Sequence, residues 1–230
     1  MANRPVFTPN LREIGVNLLD VDFIWSPGMA ISQKQKSIAS LHEQAKKLGV
    51  SHALEISSKS TLEIGRNLSA FNLFITTRKY KFRFSVECAY QSSKVFENGG
   101  PYIDLLHKTS REAKKDPRIK DSGRLIHFQF FNDTFPLIPR TYFYDWIYIN
   151  ALHQNQDLAQ QVLRFDGFTD IEFNPQKMLN CQAYAAAIYV SLYQQNKLEE
   201  ALNSHDNFYQ LLKNEYSYRD KTRQFKQVLL

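Results

Sequence analysis

The segment Ala183 to Tyr193, apolar except for Ser191, constrains this chain more than any other. It falls short of the ~18 consecutive apolar residues a membrane span needs. A helix that is apolar on every side must instead be surrounded by protein. The chain can supply that surround, since 43% of its 230 residues are hydrophobic and 13% are aromatic. No proline-, glycine- or serine-rich linker, repeat or low-complexity tract divides it. Against a rough prior of ~150 residues per domain, one enlarged domain is expected. Residues 1–212 are read as that domain, with its core over about 55–193, and 213–230 as a charged surface helix or tail. The start Met-Ala-Asn-Arg-Pro has neither an apolar h-region nor a glycine after Met1, so a cytoplasmic protein without membrane attachment is expected.

The two halves differ in pattern. Val21 to Trp25, Ala53 to Ser57, Phe71 to Thr76 and Tyr80 to Phe84 are rich in aromatic and β-branched residues and read as strands. Between them Ser32 is placed to cap a helix with Ile38, Leu41, Ala45 and Leu48 on one face and Gly49 at its end. Ser60 with Glu63, and Thr109 with Glu112, have capping-box spacing. From Thr141 onward apolar residues fall at helical spacing, over Tyr142 to Leu152, Asp157 to Leu163, Asn180 to Tyr193 and Lys197 to Leu202. The expected class is α+β, helix-rich, with a small sheet contributed mainly by the N-terminal half.

Several chemistries lose their support at once. There is no P-loop, G-x-G-x-x-G, H-E-x-x-H or G-x-S-x-G sequence. Cys88 and Cys181 lack zinc spacing and read as buried small hydrophobes, so neither a metal nor a cofactor is expected. The net charge is 29 − 23 = +6, which favours an anionic partner. Polar residues embedded in apolar stretches stand out instead. Glu55-Ile56-Ser57-Ser58-Lys59-Ser60 leaves a strand into a turn, a place from which side chains reach a pocket. Ser85 is placed to cap a helix on which Glu87 and Gln91 share a face with Lys94. Taken singly, Glu87 also reads as a helix-dipole partner, Lys94 as a solvated lysine, and Asp145, Asp166 and Asp170 as caps or surface charges.

Together these blocks carry a resemblance. Leu68-Ser69-Ala70-Phe71-Asn72, Ser85-Val86-Glu87-Cys88-Ala89-Tyr90-Gln91 and Lys94-Val95-Phe96 resemble the core motifs of the NADAR family, whose bacterial members include the YbiA type. Ser110 to Lys114, the helix around Asp145-Trp146 with Asn150-Ala151-Leu152, and Thr169 to Phe173 followed by Asn180 are similar to further blocks in the same order. Cys88 stands where the family carries histidine, and Glu172-Phe173 where it carries Trp-Gly. The closer likeness is to NADAR antitoxins paired with DarT-type DNA ADP-ribosyltransferases. It rests on Trp25-Ser26-Pro27-Gly28, Ser32 to Ser37, Glu55 to Ser60 and Phe96 to Tyr102.

The resemblance implies a glycohydrolase that removes ADP-ribose from guanine in DNA, with free ADP-ribose as product and a DarT-type toxin as counterpart. It places Glu87 as acid/base, Lys59 as nucleophile or as phosphate and ribose ligand, and Asp170 as a further acid/base. Glu55, Ser57, Ser69, Phe71, Asn72, Tyr90, Gln91, Lys94, Trp146 and Asn180 are expected to line the ADP-ribose site, with Phe71, Tyr90 and Trp146 available to stack on adenine. Arg111, Lys114, Lys115 and Arg118, continued by Lys120 and Arg124, form the densest basic run and are expected to hold the DNA backbone. A small-molecule N-glycosidase of the YbiA type and a non-catalytic antitoxin that binds its toxin are the alternative readings.

Overall fold

The computed structural model describes residues 1–174 and 181–228, with side chains through 220. Asn180 lies outside the described residues. In chain order the elements are β1 (Ala2–Pro9), β2 (Val16–Phe23), α1 (Ile31–Lys47), β3 (Ala53–Glu55), α2 (Glu63–Asn67), β4 (Phe74–Thr76) and β5 (Arg83–Ser85). There follow α3 (Val86–Ser92), β6 (Lys94–Phe96), a 3-10 turn (Ile103–His107), α4 (Ser110–Lys115), α5 (Arg118–Asp121), β7 (Leu125–Phe130) and β8 (Asp133–Phe135). The C-terminal half comprises α6 (Tyr142–Gln154), α7 (Gln156–Val162), β9 (Gly167–Thr169), α8 (Gln182–Gln194), α9 (Leu198–Asn203) and α10 (His205–Val228). This is the expected helix-rich α+β architecture with small sheets.

The main sheet has strand order β2-β1-β9-β3. Its last pair, β9 and β3, is parallel, with Leu54 opposite Phe168 and Glu55 opposite Thr169. Parallel strands need a crossover connection. Here nearly everything between residues 55 and 167 makes it, including the β4-β5 hairpin and the β6-β7-β8 sheet. The first strand was not legible in the sequence because Pro5 and Pro9 interrupt it.

Ala183 through Leu192 of α8 are all buried, which accounts for the apolar run. The helix packs on α6, β1 and β9, and α6 in turn carries α3. Local signals decide the ends. Helix α1 stops at Leu48, and Gly49 follows at φ +96°, the left-handed conformation that glycine adopts without a Cβ penalty. Its first residue is Ile31 after Ala30, two residues earlier than a Ser32 cap requires. Thr109 and Glu112 form the full capping box at α4, and Ser85 Oγ accepts the Cys88 N–H at the head of α3. Ser60 caps nothing: α2 begins at Glu63 itself, so Ser60 sits too far upstream.

Residues 213–228 continue α10. Tyr216 is buried with its hydroxyl on Asp145, Glu215 accepts from Tyr184 at 2.6 Å, and Arg219 donates to Thr141 and lies 3.7 Å over the Tyr184 ring.

Candidate active site

The carboxyl ends of adjacent parallel strands leave a crevice in which ligands of α/β sheets bind. At that end Glu55 closes β3, while Thr169 closes β9 and is followed by Asp170. Glu55 is buried and accepts three hydrogen bonds: from Ser57 Oγ at 2.6 Å, Thr169 Oγ1 at 2.6 Å and the Ile171 N–H at 2.9 Å. The Thr169 hydroxyl gives its hydrogen to Glu55, so its 2.8 Å contact with His42 Nε2 assigns the donor there to the imidazole. Burial pushes the His42 pKa down to about 4, so the ring is neutral at physiological pH. The result is a directed chain from His42 through Thr169 to Glu55.

Asp170 lies beside it and accepts the Glu172 N–H at 3.0 Å. Burial first, and the Glu55 charge second, push its carboxyl well above the ordinary range. Glu55 is raised as well, again by burial, but three donors favour its ionised form.

The loop after β3 is held from several sides. Ser57 Oγ accepts the Lys59 N–H at 3.1 Å, and Gln35 of α1 donates to the Lys59 carbonyl. Arg66 donates to the carbonyls of Ser60 and Thr61. Gly65 lets α2 approach so closely that a Cβ there would collide with the Glu55 carbonyl and the Ser60 hydroxyl. Lys59 therefore rides half-buried on a fixed backbone. Lys34, also on α1, pairs with Glu172 at 3.6 Å and lies 4.5 Å over the Trp25 ring.

A second polar chain runs along α3. Gln91 donates to Glu87 at 2.9 Å and accepts from Lys94 Nζ at 2.8 Å. Burial, opposed by Glu87 and aided by Lys114, pulls the Lys94 pKa down to about 8. Both chains are tied to one side chain. Gln182 accepts the Ala70 N–H at 2.8 Å and donates to the Ile56 carbonyl, while the Ala70 carbonyl accepts the Glu87 N–H at 2.9 Å. The head of α8 thus clamps the strand bearing Glu55 to the segment that positions Glu87. Tyr144, buried on α6, has its phenol pushed well up by burial, and the charges of Glu87 and Asp170 both add to the effect.

The remaining expected residues divide. Tyr90 packs among Phe128, Phe143 and Tyr144, with Lys94 Nζ 4.8 Å from its ring. Ser69 is buried and Asn72 donates to the Arg66 carbonyl, so both shape the turn before Glu87. Phe71 stands apart under Lys114, 5.0 Å away. Trp146 is not gathered here, since it packs edge-on against Phe208 of α10. Arg111, Lys114 and Lys115 are exposed on α4, whereas Arg118 is committed to two carboxylates, Asp104 at 2.7 Å and Asp116 at 2.8 Å.

A family model for the DarT1-associated NADAR antitoxin matches residues 2–222. The chain belongs to that family. No curated protein matches it. For a NADAR antitoxin, the side chains that sequence reasoning passed over are His42, Thr169, Gln182 and Tyr144, together with Lys34 and Gln35. Lys34 and Gln35 fall inside the Ser32 to Ser37 motif, which carried the resemblance without a role for its polar residues. Among the described residues no helix is long and apolar enough to cross a membrane.

Proposed function

We propose that this NADAR antitoxin is a glycohydrolase that releases ADP-ribose from guanine bases of DNA, reversing the modification made by its associated toxin. The observation that carries the reading is the pairing of Asp170, its carboxyl pushed well up by burial, with a hydrogen-bonded Glu55 at the carboxyl ends of β3 and β9, beside the loop bearing Lys59. Support comes from the family match and from the net charge of +6.

The bond to break joins the anomeric carbon of ADP-ribose to the exocyclic nitrogen of guanine. That nitrogen needs a proton as it departs, and the sugar carbon needs negative charge nearby or a nucleophile. Glu87 serves as acid/base, and Asp170, whose carboxyl burial pushes well up, supplies a second acid. The Lys59 amine adds to the anomeric carbon of the ring-opened sugar, the bond to guanine breaks as its exocyclic nitrogen takes up a proton, and water hydrolyses the resulting lysine imine to free ADP-ribose and restore the amine. Gln91 and Lys94 hold ribose and pyrophosphate oxygens.

The test is to incubate purified protein with an oligonucleotide ADP-ribosylated on guanine and to quantify free ADP-ribose by mass spectrometry. Release supports the reading. Absence of release, with turnover of a ribosyl pyrimidine or flavin precursor instead, replaces it with a small-molecule glycosidase. Protection seen only through a stable complex with the toxin replaces it with a binding antitoxin.

A further inference from the structure

A cleft of about 420 Å³ opens beside the head of α3, with neither Glu55 nor Asp170 among its lining residues. Its walls are rings: Phe71, Phe74 and Phe82, the last stacked on His107 with centroids 4.5 Å apart. Its floor is polar, formed by Ser85 and Ser110, whose hydroxyls are 2.7 Å apart. Ser85 caps α3, so the inner end of the cleft lies within one helical turn of Glu87.

The rim is cationic on both sides. The β4-β5 hairpin carries Arg78, Lys79, Lys81 and Arg83, and the facing segment carries Lys108, Arg111, Lys114 and Lys115. Within residues 78–83 and 107–115 there is one carboxylate, Glu112, and the Thr109 capping box engages it. Cations also lie over rings: Lys114 over Phe71, Arg83 over Phe74 at 4.2 Å, and Lys79 over Tyr80, which is 75% exposed.

We propose that this cleft binds a single strand of DNA flanking the modified base, an inference that rests on the glycohydrolase reading. Phosphates lie along the two basic edges and an unpaired base enters among the rings. Charge complementarity names a polyanion as occupant. The rings select a single strand, because a base exposes its faces for stacking on a side chain only when it is not enclosed in a duplex. The volume admits about one nucleotide, at the lower end of the roughly 300–1,000 Å³ range of small-ligand sites. The strand then leads from the hairpin over Ser85 toward Glu87.

The experiment uses fluorescence anisotropy with an unmodified, fluorescein-labelled oligothymidylate of about 12 nucleotides, within the span that single-strand sites cover. Wild-type protein binds it more tightly than the same strand annealed to its complement, and binding weakens as salt rises. Replacing two exposed cations, as Arg83→Glu with Lys108→Glu, lowers affinity at least ~10-fold and reduces the salt slope by about 1.4, roughly 0.7 per phosphate contact on a single strand. Arg111→Glu with Lys115→Glu, on the exposed face of α4, gives a second, separately folded test in the same direction, and circular dichroism confirms that each variant is folded. With an ADP-ribosylated oligonucleotide, the Arg83 and Lys108 pair raises KM and spares kcat. Equal binding by wild type and both variants, or a preference for duplex, overturns the proposal. If wild-type protein binds the strand as described yet frees no ADP-ribose, the cleft stands and the glycohydrolase reading fails.

Discussion

Replacing Gln182 by alanine tests whether the two polar chains form one site. The side chain satisfies two backbone groups: the buried Ala70 N–H and the Ile56 carbonyl. Alanine leaves both without a partner, and a buried unsatisfied group costs about 1–3 kcal/mol. The expected loss of stability is therefore about 2–6 kcal/mol for the two groups together, read from urea denaturation followed by tryptophan fluorescence. The same change frees the Ala70 segment, whose carbonyl positions the Glu87 N–H. A displacement of about 1 Å at a reacting group costs on the order of 100-fold in rate. Release of ADP-ribose from a modified oligonucleotide should fall by about that factor at temperatures where the variant is still folded. Gln182→Glu retains the acceptor for Ala70 and sets an anion against the Ile56 carbonyl, so it should rescue neither property at pH 8. A variant within about 0.5 kcal/mol of wild type with unchanged turnover would show that Gln182 clamps nothing the site needs, since that is the range of neutral surface substitutions.

Three further outcomes follow from the same geometry. Lys59→Arg should be as inactive as Lys59→Ala if the amine is the nucleophile, because a guanidinium keeps the charge but does not add to a carbon; rapid turnover by the arginine variant would reduce Lys59 to a phosphate ligand. Burial raises the Asp145 carboxyl from 3.8 to about 7, so the folded state holds a proton that the unfolded chain releases, and stability is lost as pH rises from about 4 through about 7. The drop is on the order of 4 kcal/mol at most, and Asp145→Asn should flatten its share of the dependence of the urea midpoint between pH 5 and pH 8. Gly65→Ala should cost about 1–3 kcal/mol by forcing α2 off the Glu55 carbonyl, and a thermal melt unchanged from wild type would contradict that close approach.

What the sequence disclosed, it disclosed through local physics. Ser85, the Thr109 and Glu112 box, Gly49 and the apolar α8 could be placed because capping, left-handed backbone and all-round burial act within a few residues. The NADAR blocks brought Glu55, Glu87, Lys59 and Asp170 into one list. Their arrangement was not legible, because it depends on contacts across long stretches of chain. Thr169 reaches Glu55 only through the parallel pairing of β9 with β3, and Gln182 reaches Ile56 and Ala70 only once α8 packs against β9. His42 lies on α1, and only the packing of that helix against the main sheet sets Thr169 2.8 Å from its ring. Trp146 and Arg118 show the opposite: residue type suggested a ligand, while Phe208 and two aspartates already occupy them. The strand β1 was hidden by its two prolines.

In the proposed reaction an amine on the β3 loop and a carboxylate at the head of α3 act on one sugar carbon. A crystal structure of the protein soaked with ADP-ribose tests it most directly. The expected result is the terminal ribose between Lys59 and Glu87, with its anomeric carbon within reach of both and its pyrophosphate toward Lys94. Density for ADP-ribose seated elsewhere, for instance in the cleft between Thr8 and Asp166, with Lys59 and Glu87 untouched, would contradict it.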